Sequence, residues 1–298
     1  MSPGEPAVGA ARRAAVATGD AVGARRGRVG SLFASEVGLL FRRGRTWAML
    51  AALAVIPVLL ALVVYFSAEP PGPGEGPPFL DRVTQNGMFV AVTALVVTTP
   101  LFLPLTIAAT AGDTVAGEAA HGTLRYLLAA PAGRGRLLLV KYGAAALFCV
   151  AAPAVVLVAG WVVGLVLFGA GPVTLVSGDV ASTGEALVRT LLVAAHVAIS
   201  MLGLAAIGLF ISTLTDVPVG AMAATAVLAV VAQVLGQLDQ LAWLHPWLFS
   251  HYWFSSVDLL REPISWGSFT DNALLQAGYV AFFGALAYGR FATKDVLS

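Results

Sequence analysis

Residues 46–67 read TWAMLAALAVIPVLLALVVYFS, 22 residues without Asp, Glu, Lys, Arg or His. A bilayer core is about 30 Å thick, so roughly 20 apolar helical residues span it. The rest of the chain has the same character. Of 298 residues 58% are hydrophobic and 11% charged, against about 25% charged in a typical soluble domain. Surface-to-volume scaling prevents one core from hiding that much apolar surface, so lipid must take the remainder.

Working outward, five more stretches reach spanning length: 88–112, 142–168, 186–213, 218–238 and 273–291. The expected fold is an all-α integral membrane protein with six transmembrane helices over 46–298. Six spans put 14 of the 17 basic residues on one side, in the N-terminal part, the 113–141 segment and the C-terminal tail. Arg82, Arg189 and Arg261 fall on the other. By the positive-inside rule both termini are cytoplasmic.

The flanking segments divide by composition. Residues 1–30 lack the continuous apolar core of a signal peptide and read as a flexible cytoplasmic tail. Its arginines either touch anionic headgroups or serve only to orient the chain. Residues 31–45 place Phe33, Val37, Leu40 and Phe41 on one face, as expected of an amphipathic helix lying in the interface. Residues 68–86 and 169–185 are polar, Gly-rich loops. The segment 239–272 holds Trp243, Trp247, Phe249, Tyr252, Trp253, Phe254 and Trp266, a density of amphipathic rings suited to the headgroup layer. Extracytoplasmic interfacial or re-entrant helices are expected there, either anchoring the fold or gating a path. The single cysteine, Cys149, leaves no intrachain disulfide. His245 and His251 lie six apart and share no helix face, so no metal site is read.

Between the second and third spans the sequence runs DTVAGEAAHGTLRYLLAAPAGRGR from Asp113 to Arg136. Asp113 is placed to cap a short helix. Gly122 suits its C-terminal stop, and Thr123 is placed to cap the next turn. Leu124, Leu127 and Leu128 follow at helical spacing before Pro131 ends the element. The expected form is a helix–break–helix tethered to membrane helices at both ends, shaped to receive a push from a partner.

Glu118, Gly122-Thr123-Leu124, Leu127-Leu128, Pro131, Arg134 and Lys141 resemble the signature of ABC type-2 exporter permeases, and Phe291-Ala-Thr-Lys294-Asp295 is similar to their C-terminal ending. The resemblance implies a permease that pairs with a second copy or a related chain and with two cytoplasmic ATPase subunits, in the plasma membrane of a prokaryote. It implies that segment 113–136 is a coupling element, with Asp113, Glu118, Gly122, Thr123, Leu124, Arg125, Leu127, Leu128 and Pro131 facing the ATPase. Arg134, Arg136 and Lys141 would lie at the membrane boundary, anchored by headgroups. ATP and Mg would belong to the partner. The residues agree: a P-loop needs Gly-Lys-Ser/Thr, and the two lysines, Lys141 and Lys294, follow Val140 and Thr293. No cofactor and no catalytic role is expected of this chain, and its formal charge of +1 suggests no nucleic-acid partner.

Inside the spans, Thr99, Thr106, Thr110 and Asp113 form a polar stripe on a helix that Pro100 and Pro104 should bend. The stripe lines a translocation path, or its hydroxyls satisfy carbonyls freed by the prolines. His196 with Ser200 one turn later is a second candidate for the path. Its plainer reading is a neutral imidazole bonded to a neighbouring helix. Gln233 and Gln237 share a face from which to bond across helices, and Gly160-Trp-Val-Val-Gly164 matches a small-xxx-small packing pattern. Two other classes compete with a transporter. An intramembrane enzyme needs a nucleophile with a positioned base or clustered carboxylates, which the spans lack. A non-transporting membrane partner of an ATPase would share the coupling element.

Overall fold

The computed structural model describes residues 30–67, 86–123, 133–169, 173–174 and 180–293. Helix α1 covers 30–42. It is followed by α2 (Gly44–Phe66), α3 (Met88–Thr98), α4 (Phe102–Ala120), α5 (Arg134–Phe168), α6 (Thr183–Ser200), α7 (Leu202–Leu214), α8 (Pro218–Leu235) and α9 (Gly267–Thr293). In the loop before α6, Val173–Thr174 pairs antiparallel with Val180–Ala181. Segment 239–272 holds three short 3-10 helices, Asp239–Leu241, His245–Trp247 and Ser255–Leu260, and its last six residues form the start of α9.

Four units are long and apolar enough to cross a membrane: α2, α5, the rod α6–α7 and α8. The bent pair α3–α4 makes a fifth if counted as one span. The sixth expected crossing falls on α9, which has 27 residues and therefore the length. Its hydropathy is diluted by polar residues that it turns inward, Asn272 and Gln276, both essentially buried.

The rod α6–α7 is central: 72% of its apolar window is buried inside the chain, against 22 to 33% for α2, α5 and α8. Around it pack Leu53 of α2, Leu95 of α3, Leu103 of α4 and Phe148 of α5, with Met201 and Leu204 from the rod itself. The outward faces of the peripheral helices remain apolar, as lipid contact requires: Val63 on α2, Val166 on α5 and Val219 on α8 are all more than half exposed. The Gly160/Gly164 pattern serves packing within the chain. A Cβ at Gly160 would fall 2.5 Å from the Cα of Ala91, and Gly164 lies against the backbone of Gly87, so α5 and the start of α3 meet backbone to backbone.

The second expected span is two helices, with 59° between α3 and α4. Pro100 sits in the break. Pro104 falls in the first turn of α4, where its missing N–H is no loss, so of the two prolines only Pro100 lies at the bend. Helix α5 starts at Arg134, ahead of the expected boundary, and the expected 186–213 span is interrupted at Met201.

Candidate functional site

The amphipathic helix α1 ends at a sharp elbow. Thr46 Oγ1 donates to the Leu40 carbonyl at 2.6 Å and Trp47 Nε1 to that of Phe41 at 2.7 Å, so the first turn of α2 caps the last carbonyls of α1. The elbow turns Arg43 and Arg45 toward α4. There Asp113 Oδ2 accepts from Arg43 Nη1 at 2.6 Å and Arg45 Nη2 at 2.8 Å. Asp113 is therefore not the cap of a short helix. Helix α4 runs unbroken from Phe102 to Ala120, and Asp113 lies within it as the acid of a three-residue cluster. Gly117, one turn on, leaves room for that carboxylate: a Cβ there would fall 2.6 Å from Asp113 Oδ1.

The stop expected at Gly122 is present. Gly122 has φ +67°, its N–H bonds the Ala119 carbonyl, and the Thr123 N–H bonds the Glu118 carbonyl, both at 3.0 Å. This is a Schellman motif, for which glycine is the favoured residue. Thr123 caps no following turn within the described residues. Its hydroxyl bonds back to the Glu118 carboxylate and carbonyl. Leu124, Arg125, Leu127, Leu128 and Pro131 lie outside the described residues.

Glu118 also reaches across to α5. Lys141 Nζ, 2% exposed, lies 3.4 Å from Glu118 Oε1 and 3.2 Å from Glu36 Oε1 of α1. Burial would raise the Glu118 carboxyl, but the Thr123 hydroxyl and the Lys141 ammonium outweigh it and hold the group below its ordinary value. Glu118 is thus an anion at neutral pH. Headgroup anchoring does not describe Lys141, because a lysine so enclosed and doubly paired has no surface left for lipid. Burying an ammonium requires this arrangement, since an unpaired buried charge is prohibitive.

Arg134, at the start of α5, donates to the carbonyls of Phe291 (3.3 Å) and Ala292 (2.6 Å) at the end of α9, where a cation also complements the helix dipole. Phe291 is buried with Val115 of α4, Leu137 and Leu138 of α5 and Leu209 of α7. Arg136 is partly buried. The motif residues thus converge from α4, α5 and α9 on one end of the bundle. Sequence reasoning missed the partners that α1 and α7 supply. Glu36 had a signal, being the one acid on α1, a helix that ends at Arg42 with Arg43 next in the chain. Ser212 of α7 had none: its buried hydroxyl accepts the N–H groups of Val115 and Ala116 at 3.0 and 2.8 Å.

The residues expected along a path are arranged otherwise. Thr99 precedes the bend while Thr106 and Thr110 follow it, so the three share no continuous helix face. Each donates to a carbonyl of its own helix: Leu95, Leu103 and Thr106 respectively. His196, fully buried, contacts the Tyr252 carbonyl through Nε2 at 2.8 Å, which belongs to the aromatic segment rather than to a neighbouring helix. Ser200 donates to the His196 carbonyl and accepts from Asn272 at 2.9 Å. Gln233 bonds across to the Pro100 carbonyl, whereas Gln237 lies beyond the end of α8.

The aromatic segment is fastened by its own backbone. Carbonyls of Trp247, Phe249, Tyr252 and Arg261 receive side chains of Tyr279, Gln276, His196 and Arg189 at 2.6 to 2.8 Å. Phe249 and Trp253 turn into the bundle, and Trp243 and Trp247 stay about 70% exposed.

A model of a family described as ABC-2 family transporter protein matches residues 30–296, which takes in the elbow, the glycine-terminated end of α4 and the last helix together. The chain belongs to the ABC-2 transporter family. It is therefore a multi-pass membrane permease component of an ABC transporter, a transport rather than a catalytic part, of a kind that normally works with ATPase subunits. No curated protein matches the chain. In this ABC-2 permease, the motif residues Glu118 and Lys141 meet each other, with Thr123 and Glu36 completing the contact.

Proposed function

We propose that this permease is the membrane half of an ATP-driven exporter in the plasma membrane of a prokaryote. It assembles with a second permease, identical or related, and with two cytoplasmic ABC ATPase subunits that hold the ATP and Mg. The chain crosses six times, α9 being the last crossing, with both termini cytoplasmic and segment 113–136 seated on the ATPase.

The observation that carries this reading is the position of Glu118. It stands at a glycine-terminated helix end and is tied through Lys141 to α5 and through Glu36 to α1. A push at 118–123 thereby acts on α4, α5 and α1 at once, while Asp113 carries it to Arg43, Arg45 and the start of α2. Coupling by rigid-body displacement of helices needs such paired contacts. The four carbonyl bonds along segment 239–272 support anchoring, not gating, for the aromatic rings.

Purification of the tagged chain in mild detergent should bring down a P-loop ATPase at about one copy per permease, while the chain alone should hydrolyse no ATP. Glu118→Arg should abolish the association. Glu36→Gln removes the other carboxylate at Lys141 and should leave the association intact, which separates a lost docking contact from a loosened bundle. Full assembly and transport by Glu118→Arg would reject the role given to Glu118.

A further inference from the structure

Between α5, α7 and α9 lies a cavity of about 310 Å³, within the range of small-molecule sites. Leu138, Tyr142, Leu209 and Gly284 are among the residues lining it, and Leu139 and Tyr288, 72% and 53% exposed, form its lips. The cavity therefore opens sideways, out of the bundle. Its lining is apolar apart from the tyrosine hydroxyls, and that of Tyr142 is committed to the Leu202 carbonyl at 3.2 Å. Gly284 keeps it open: a Cβ there would meet nothing within 4 Å.

Depth and charge select the occupant. On α5 the lining runs from Gly135 to Tyr142, roughly 10 Å of helix at 1.5 Å per residue. Its α5 wall begins at Gly135, which Arg134 and Arg136 flank in the chain. Arg134 is held by the α9 carbonyls. Arg136 is partly buried and has no ion pair among the described residues. An apolar slot whose α5 wall begins next to an unneutralised arginine in the chain matches a lipid with an apolar tail and an anionic head.

We infer that this cavity binds one acyl chain of an anionic phospholipid of the cytoplasmic leaflet, with the headgroup phosphate against Arg136. The leaflet rests on the topology proposed above. The cavity itself does not.

The test is native mass spectrometry of the chain purified with phosphatidylglycerol or phosphatidylethanolamine. The expected result is one retained phospholipid, with phosphatidylglycerol favoured about five-fold by the arginine. Gly284→Phe fills the slot from a position with free space around it and should remove the retained lipid while leaving the melting temperature near that of the native chain. Arg136→Gln should keep the lipid and lose the five-fold preference. An unchanged lipid count in Gly284→Phe would overturn the site. So would release of the lipid by millimolar inorganic phosphate, which would mark a bare anion site. Preference retained by Arg136→Gln would overturn the headgroup contact. Arg136→Cys provides the topology control, since Cys149 is fully buried. Labelling by an impermeant maleimide from outside intact cells would refute the leaflet and the topology together, and leave the Gly284→Phe result to judge the cavity alone.

Discussion

The chain interrupts two of its long apolar helices, α3–α4 around Pro100 and α6–α7 at Met201, and the two interruptions differ in shape and in what surrounds them. At the first, Leu101 leaves the helical region (φ −131°, ψ −57°), the axis turns by 59°, and the freed Pro100 carbonyl accepts from Gln233 of α8. At the second, Met201 keeps helical dihedrals (φ −86°, ψ −13°) and the two halves continue as one 32-residue apolar unit. Its free backbone groups engage three other elements. Gly203 N–H donates to Gln276 of α9 at 3.1 Å, the Ser200 carbonyl accepts from the Trp253 indole at 3.2 Å, and the Leu202 carbonyl accepts from Tyr142 of α5. The bend at Pro100 leaves one freed carbonyl, met by one neighbour. A straight interruption acts as a junction, where α5, α9 and the aromatic segment are fixed to the central rod.

If that contrast is right, the largest effect should come from Gln276→Leu. Gln276 is 1% exposed; its amide serves the Gly203 N–H and, at 2.8 Å, the Phe249 carbonyl. Two buried backbone groups would be orphaned, at about 1–3 kcal/mol each. Thermal unfolding in detergent should show a lowered midpoint and poor recovery of folded protein. A midpoint equal to that of the native chain would remove the junction from the argument.

The two interruptions also mark how far the chain was legible from its sequence. Hydropathy found the apolar stretches because lipid imposes the same demand on every span, and Pro100 announced its bend because the missing N–H is a property of that residue alone. Gly122 was readable for the same reason. The junction at Met201 was not, since Ser200, Gln276 and Trp253 meet only after folding and none breaks a helix by itself. Asp113 was misread because its partners, Arg43 and Arg45, lie some 70 residues away. Lys141 at a span boundary looked like a headgroup anchor until α1 and α4 were found to enclose it. In α9, the residues that fix the junction are those that made its hydropathy low.

Next in size are two single-bond changes, one at each interruption. Trp253→Phe keeps a ring in the buried site and removes only the donor to Ser200. Gln233→Leu removes the donor to Pro100. Hydrogen bonds between membrane helices average about 0.6 kcal/mol and reach about 1.7 kcal/mol. Trp253 is 1% exposed whereas Gln233 is only partly buried, so Trp253→Phe should lie at the upper end and Gln233→Leu near the average. Chemical unfolding of the two variants side by side would measure the order. The reverse order would mean that the bend, not the junction, is the more tightly determined of the two.

The smallest effect is expected from Pro100→Ala, which tests whether packing holds the bend once the proline is gone. The two halves lie on different partners: α3 meets the backbone of α5 through Gly164 and Gly160, and α4 meets that of α8, where a Cβ at Gly112 would fall 2.8 Å from Met222 N. Straightening the helix would break one of these close contacts. Alanine should therefore keep the native path, and the loss should be the unfolded-state entropy that a proline removes, at the low end of about 0.4–1 kcal/mol because alanine regains a backbone donor. Fitting the α3–α4 angle in a structure of the variant, together with its unfolding midpoint, would decide the matter. An angle that relaxes well below 59° with little loss of stability would show that the proline itself sets the bend. An unchanged angle would assign it to the glycine-mediated contacts on either side.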